Sequence, residues 1–95
     1  MTDIIERVHR DQPTIDRLKQ LQQELDSELI VELHMADGRV LKGTVVERPA
    51  LIQFVDREGN EGLNGLLRFD AGTGTGDVDL LLIDEIARVV RVGSA

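Results

Sequence analysis

The residues Leu29 to Arg48, LIVELHMADGRVLKGTVVER, decide the fold of this chain. Apolar and polar side chains alternate on both sides of Asp37-Gly38, which indicates two strands. An Asp-Gly pair between two such strands is typical of a tight hairpin turn. Gly43 lies inside the second, β-branched strand, where a glycine indicates a sharp bend without room for a side chain. The pattern favours a small, strongly bent β-barrel in which Gly38 and Gly43 are structural.

The register of this hairpin has two alternatives. A two-residue Asp37-Gly38 turn would place Leu33 opposite Lys42. A three-residue loop at 37–39 places Leu33 opposite Gly43 instead, with His34 opposite Lys42 on the outer face. The second register keeps one face of the hairpin apolar, and we therefore favour it.

The segment 1–28, before the hairpin, is predicted to be helical. Pro13 suits a first helical turn, because its missing N–H has no partner there anyway. Ile4, Ile5 and Val8 indicate a short helical turn further upstream. We expect the apolar helix stripe to pack on its own barrel, with dimer contacts as the alternative. The stripe consists of residues at three- and four-residue steps: Ile15, Leu18, Leu21, Leu25 and Leu29.

Residues 29–92 are predicted to form the barrel, and residues 1–95 a single domain. The fold class is mainly β (α+β), an N-terminal α-helix followed by five or six antiparallel strands. Beyond the hairpin, we predict a third strand with Ile52 and Phe54 on one face, and a fourth with Leu63, Gly65, Leu67 and Phe69 on one face. The predicted segments are strands at 51–56, 63–69, 78–83 and 86–92, a turn at 57–62, and a flexible loop at 71–77.

The composition limits the classes of function. The chain has no Cys, which excludes a disulfide scaffold and a thiolate metal site. Its start lacks the basic and apolar regions of a signal peptide, and no apolar run approaches the roughly 18 residues of a membrane span. We expect a soluble, cytoplasmic protein. The net charge of −7 disfavours nucleic acid as a partner, although Arg39, Lys42, Arg48 and Arg57 leave a local basic patch as an alternative.

No catalytic or metal-binding constellation emerges. His9 and His34 lack metal-ligand spacing and are predicted to be solvated. Gly72-x-Gly74-x-Gly76 leads into a strand rather than a helix, so it indicates a loop and not a phosphate site. No nucleophile setting is recognisable, and we predict a protein that is not an enzyme and has no cofactor. An acidic surface is favoured over a cation site for Asp70, Asp77, Asp79, Asp84 and Glu85.

Two stretches resemble the Sm-like proteins, the family that includes LSm proteins and Hfq, over about residues 14–92. One is the closing LIDEIARVVRV. The chain also resembles short uncharacterised bacterial proteins of xanthomonad type that are Sm-like variants. This resemblance implies an Sm-like, or SH3-like, bent barrel after the N-terminal helix. The second of the two stretches resembles the first Sm signature and is more specific than the closing one. It reads Leu33-x-Met35-x-x-Gly38-x-x-Leu41-x-Gly43-x-Val45.

The resemblance also implies a binding and assembly role in RNA metabolism. The family binds RNA with an Asp and an Asn after the second strand, where this chain has Pro49 and Gln53. Arg48 and Arg57 flank the third strand, so the RNA-binding candidates are Arg48, Gln53 and Arg57. Family rings pair the fourth strand of one subunit with the fifth of the next. The acidic segment 71–77 lies beside those strands, and self-association as a dimer is therefore expected rather than a ring. The alternative is a protein–protein interaction module without nucleic acid.

Overall fold

The computed structural model describes residues 4–72 and 78–94. Six strands make one antiparallel sheet, curled into a half-barrel with the order β3-β4-β2-β1-β6, and β5 pairs with β4. A 3₁₀ turn at Ile83–Glu85 joins the last two strands. The elements are helix α1 (Gln12–Glu24) and strands β1 (Leu29–Met35), β2 (Val40–Val45), β3 (Leu51–Val55), β4 (Glu61–Asp70), β5 (Asp79–Leu82) and β6 (Ile86–Ser94).

Helix α1 begins at an N-cap. The carboxylate of Asp11 accepts a hydrogen bond from the Thr14 N–H at 3.1 Å, and Pro13 occupies the first turn as predicted. Leu18, Leu21 and Leu25 are buried in the barrel core, so the apolar stripe packs on its own barrel. The helix runs from Gln12 to Glu24 and is therefore shorter than the predicted helical segment, 1–28.

The N-terminal arm, residues 4–10, is extended. Ile4 pairs with Val55 on β3, and His9 pairs with Leu63 on β4. The predicted helical turn at Ile4, Ile5 and Val8 is therefore wrong. Main-chain hydrogen bonds to the β3–β4 hairpin take the place of the local bonds that would close a helical turn.

The β1–β2 hairpin closes at a three-residue loop, Ala36 to Gly38. The Met35 N–H donates to the Arg39 carbonyl at 2.8 Å, and Gly38 has a φ of 95°. Leu33 faces Leu41 and not Gly43, so the favoured register was displaced by two residues and the alternative was also wrong. The physical reason is that such loops need a left-handed residue at their third position, and Gly38 supplies it.

The displacement changes the residue pairs on the outer face of the hairpin as well as those on the inner face. His34 faces Val40, while Glu32 faces Lys42, an opposite-charge pair. The shift by two residues preserves the side on which each residue lies, because side chains alternate with period two. The predicted apolar inner face is therefore confirmed although its register is not.

Gly43 lies where β2 passes the end of β4. A Cβ atom there would clash with the Asp70 carbonyl oxygen and would lie 2.9 Å from the Ala71 Cα. Both are backbone atoms and cannot rotate away. The prediction that this position has no room for a side chain is confirmed.

Strand β4 is the centre of the sheet, since it pairs with β3, β5 and β2. Leu67 and Phe69 are buried in the core as predicted, but Leu63 is only half-buried and Asn64 is fully buried. The face differs near Leu63 because the N-terminal arm covers that part of β4. The turn between β3 and β4 is shorter than predicted, and most of the predicted loop at 71–77 lies outside the described residues.

Strand β3 lies at one end of the sheet order. Phe54 is buried, whereas Ile52, predicted to share its face, is 49% exposed. The predicted core role of Phe54 and Phe69 is confirmed. No helix in residues 4–72 and 78–94 is long and apolar enough to cross a membrane. The main core cluster contains Leu18, Leu21, Leu25, Leu29, Val31, Leu33, Met35, Val45, Leu67, Phe69, Ile83 and Ile86.

Candidate functional site

The three predicted RNA-binding residues lie on different parts of the surface. Arg48 is in the loop between β2 and β3, and Arg57 is in the turn at the other end of β3. Gln53 is exposed in the middle of β3, in a groove that it shares with His9. Arg57 lines a separate groove. The structure does not bring these three side chains into one cluster.

The loop that carries Arg48 contacts other parts of the chain through an ion pair and a hydrogen bond. The Arg48 guanidinium lies 3.2 Å from the Asp26 carboxylate. Pro49, which stands where the Sm family has its Asp, is buried, and its carbonyl accepts a hydrogen bond from the Gln22 side chain at 2.9 Å. Arg48 and Pro49 are thus both held by contacts within the protein.

A polar network around the Asp84 carboxylate links the N-terminal arm to the 3₁₀ turn. The Asp84 side chain is only 7% exposed, and its carboxylate accepts hydrogen bonds from Arg7 at 2.9 and 3.1 Å. The same carboxylate lies 2.8 Å from His9 Nε2. Arg7 also donates to Glu85 at 3.0 Å. Asn64, fully buried on β4, donates to the Arg7 carbonyl at 2.9 Å and accepts from the Gly65 N–H at 2.8 Å.

This network keeps Asp84 ionised. Burial by itself would raise the pKa of Asp84, but hydrogen bonds from Arg7 and His9 outweigh it and hold the pKa below its ordinary value. The same hydrogen bond to Asp84 raises the pKa of Arg7. A charged carboxylate held by an arginine and a histidine fixes two chain segments together. The geometry is that of an anchor for the arm.

Two residues of this network were predicted differently. His9 was expected to be solvated, yet its side chain is 23% exposed and contacts Asp84. Asp84 was expected on an acidic surface, yet it is buried. The available signal was its position inside the apolar run LLLIDEIARVV, where an acid needs a partner. The sequence gives no means of identifying that partner, since Arg7 is 77 residues away.

An open groove with both apolar and charged lining residues lies beside the arm. Its volume is ≈ 350 Å³, and Leu80 and Ile4 at its rim are 64% and 68% exposed. Large apolar side chains that remain exposed next to one another mark surfaces suited to a partner. The groove is lined by Ile4, Ile5, Leu66, Leu80 and Leu82, together with Glu6, Arg57 and Glu85.

Three strands pair with a single other strand within the described residues: β3, which pairs only with β4, and the last two strands, β5 and β6. Strand β5 pairs only with β4, and β6 pairs only with β1. The edges of β5 and β6 differ in charge: β5 begins with the exposed Asp79, whereas β6 carries Arg88 and Arg91. An open edge presents unpaired main-chain N–H and C=O groups that can bind another strand. The chain therefore offers two complementary edges for strand addition.

The comparisons with known proteins agree with this fold. The sequence model of one family, Domain of unknown function (DUF3247), matches residues 2–92. Among curated proteins, none matches the chain. XC5848 from Xanthomonas campestris is similar in structure, with a TM-score of 0.90 and 28% sequence identity. The similarity covers 97% of this chain and 99% of that chain.

The structure of XC5848 is described as a novel variant of the Sm-like motif. The present chain shares its arrangement of one helix followed by a curled sheet, which confirms the fold expected from the resemblance in residues 33–45. Because the family match extends over nearly the whole sequence, the chain belongs to the DUF3247 family, and its fold is Sm-like.

Proposed function

We propose that this chain is a non-enzymatic Sm-like binding and assembly module whose partners are protein chains, first of all further copies of itself. The observation that carries the proposal is the pair of open strand edges on β5 and β6, one acidic and leucine-rich and the other basic. Strand addition gives affinity through main-chain hydrogen bonds, and the side chains that flank the edge select the partner.

Contact between unlike edges is favoured by charge. Asp79 on β5 of one copy would meet Arg88 and Arg91 on β6 of another, whereas contact between like edges would bring equal charges together. A pair joined through one contact between β5 and β6 leaves the other of these two edges free on each copy. The dimer expected from the sequence remains a prediction, and the mass of the assembly distinguishes it from a larger closed one.

The RNA role of Arg48, Gln53 and Arg57 also remains a prediction from the family resemblance. The charges support a protein partner more strongly. Several arginines on the surface face an acidic neighbour: Arg48 faces Asp26, Arg68 faces Glu47 and Arg39 faces Asp37. Guanidinium groups held in this way contribute less to a phosphate-binding surface.

The experiment is light scattering after size-exclusion chromatography, over a range of protein concentrations, for the wild type and Leu80→Lys. A lysine on an exposed edge strand opposes the addition of another strand. We expect the wild-type mass to exceed that of one chain and the Leu80→Lys mass to fall towards it. Val40→Lys is the matched control, because Val40 is an exposed apolar residue (53%) on β2 and lies on neither β5 nor β6. Equal masses for wild type and Leu80→Lys would contradict the proposal.

A further inference from the structure

The N-terminal arm fills a binding site for an extended segment on the β3–β4 hairpin. The Ile5 N–H donates to the Val55 carbonyl at 2.9 Å, and His9 and Leu63 exchange two main-chain hydrogen bonds of 3.0 and 2.8 Å. Gly62 leaves the space for the arm, since a Cβ atom there would lie 2.8 Å from the His9 carbonyl oxygen. The hairpin thus presents main-chain partners and a glycine gap that fit a crossing strand.

Side chains make this site selective for the sequence of the arm. The fully buried Asn64 donates to the Arg7 carbonyl at 2.9 Å. The Asp84 carboxylate accepts hydrogen bonds from both Arg7 and His9, which lie two residues apart in the sequence. Charge-assisted hydrogen bonds to a buried carboxylate are the stronger kind, and they depend on the identity of the donors. The site therefore recognises an extended segment with an arginine and, two positions later, a histidine.

Asp84 and Asn64 hold the middle of the arm, but none of the residues from Ile4 to Arg10 is fully buried. Grooves lie along it, one lined by Ile4 and Ile5 and another by His9 and Arg10. Ile4 is 68% exposed. Segments with few buried contacts and exposed main-chain hydrogen bonds are those that open at a low free-energy cost.

We propose that the hairpin site also accepts the arm of a second copy of this chain, so that two copies exchange their N-terminal arms. The contacts made by Arg7, His9 and Ile5 are the same whether the arm belongs to its own chain or to another. Exchange therefore changes only the conformation of the hinge between the arm and α1, at Arg10 and Asp11. It also costs the entropy of bringing two chains together. Protein concentration then sets the fraction of exchanged dimer.

Reciprocal exchange gives a closed two-fold dimer, because each copy supplies one arm and one site. It uses neither open edge of β5 and β6, so it goes beyond the proposed function. It also provides a structural route to the dimer expected from the sequence.

The test uses cysteines, since the natural chain has none. His9→Cys and Leu63→Cys are prepared as two separate full-length variants, and one of them carries a size tag. These two positions face each other in the arm–hairpin pairing, where antiparallel partners lie within the Cα separation that a disulfide accepts. The His9→Cys arm keeps the hydrogen bonds from Arg7 to Asp84 and the main-chain hydrogen bonds to the hairpin. The variants are mixed under reducing conditions at high concentration, oxidised, and separated on a non-reducing gel. The control mixture is His9→Cys with Lys42→Cys, because Lys42 is an exposed residue of β2, which does not pair with the arm.

Arm exchange predicts a covalent heterodimer at least about tenfold more abundant than in the control mixture, because only paired strand residues hold two sulfurs within bonding distance. The double variant His9→Cys/Leu63→Cys shows whether the two cysteines meet at all. A double variant that forms its disulfide only within one chain, together with a heterodimer no more abundant than in the control, would overturn the inference.

The outcome is separable from that of the proposed function. A wild-type mass above one chain, lowered by Leu80→Lys and accompanied by disulfides only within chains, would support the open edges and overturn arm exchange. A covalent heterodimer with a mass that Leu80→Lys does not change would support arm exchange and contradict assembly through β5.

Discussion

At two positions, a single glycine allows two segments of the chain to approach each other closely. Gly43 allows β2 to pass the backbone at Asp70 and Ala71, and Gly62 allows the arm to pass over β4. At both positions, an added Cβ atom would meet backbone atoms, which cannot move aside without shifting a strand. Asp84 differs from these glycines, because its side chain is needed for the contacts that it makes. Its buried carboxylate is stabilised by the side chains that it contacts.

Gly43→Ala should destabilise the fold by about 2–3 kcal/mol, because an overpacked site forces the backbone to move. Gly93→Ala is the matched control, since a Cβ atom at Gly93 would meet nothing within 4 Å. Chemical denaturation measures both free energies of unfolding. A Gly43→Ala variant as stable as Gly93→Ala would contradict the path of β2 past β4.

Asp84→Asn should lower the stability by about 2 kcal/mol at neutral pH, since it weakens the charge-assisted hydrogen bonds from Arg7 and His9. The amide protons of the arm should also exchange faster with solvent. Asp79→Asn, at an exposed carboxylate on β5, serves as the control and should leave both quantities unchanged.

The stability gained from Asp84 should depend on pH. The folded pKa of Asp84 is lowered, so its contribution is complete above the unfolded value near pH 4 and is lost as the pH falls through the folded pKa. Below pH 4, the difference in unfolding free energy between the wild type and Asp84→Asn should therefore shrink. A difference that stays constant down to pH 2 would rule out Asp84 as the titrating group.

At the scale of elements, α1 is joined to the sheet by more than its apolar stripe. The Arg17 guanidinium donates to the carbonyl oxygens of Ile86 and Ala87, each at 3.0 Å. These carbonyls lie at the start of β6, next to an irregularity where β6 shifts its register with β1. A bulge leaves backbone groups without ladder partners, and Arg17 supplies donors for them.

Arg17→Met should cost about 1–2 kcal/mol of stability, because it keeps the apolar stem of the side chain and removes these two hydrogen bonds. Lys19→Met tests the same loss of charge on an exposed residue of α1 and should have little effect. Thermal unfolding compares the two variants directly. Equal melting temperatures would show that the apolar stripe alone holds the helix.

For the whole molecule, the net charge of −7 and the positions of the cations determine which partners it can attract. Arg7 faces Asp84 and Glu85, and Arg48 faces Asp26. The two aromatic residues, Phe54 and Phe69, are buried and offer no surface on which bases could stack. These features of the described residues support the protein partner that we propose.

Fluorescence anisotropy of labelled oligo-U and oligo-A should therefore show no binding in the micromolar range, even at about 50 mM salt, where phosphate contacts are strongest. Wild type and an Arg48→Ala/Arg57→Ala variant should give the same flat titration. Binding of the wild type that weakens steeply towards about 200 mM salt and is lost in the variant would instead support the RNA site predicted from the family.

Local patterns in the sequence determined much of the fold. The alternation in β1, the Asp-Gly turn, the glycine at position 43 and the helix stripe of Leu18, Leu21 and Leu25 each depend on neighbouring residues alone, and the structure confirms them. The small, bent barrel followed from these signals, and the resemblance of residues 33–45 to the first Sm signature implied that it is Sm-like. These signals act over a few residues, so the sequence displays them in full.

Only the tertiary structure determined the exact register, the extended arm and the Asp84 network. The β1–β2 register depended on which loop position adopts a positive φ, and the arm is extended because the β3–β4 hairpin supplies its hydrogen bonds. Arg7, His9 and Asp84 meet across more than 70 residues of sequence. A contact between residues so distant in sequence is set by how the strands pack, and no local pattern in a single sequence encodes it.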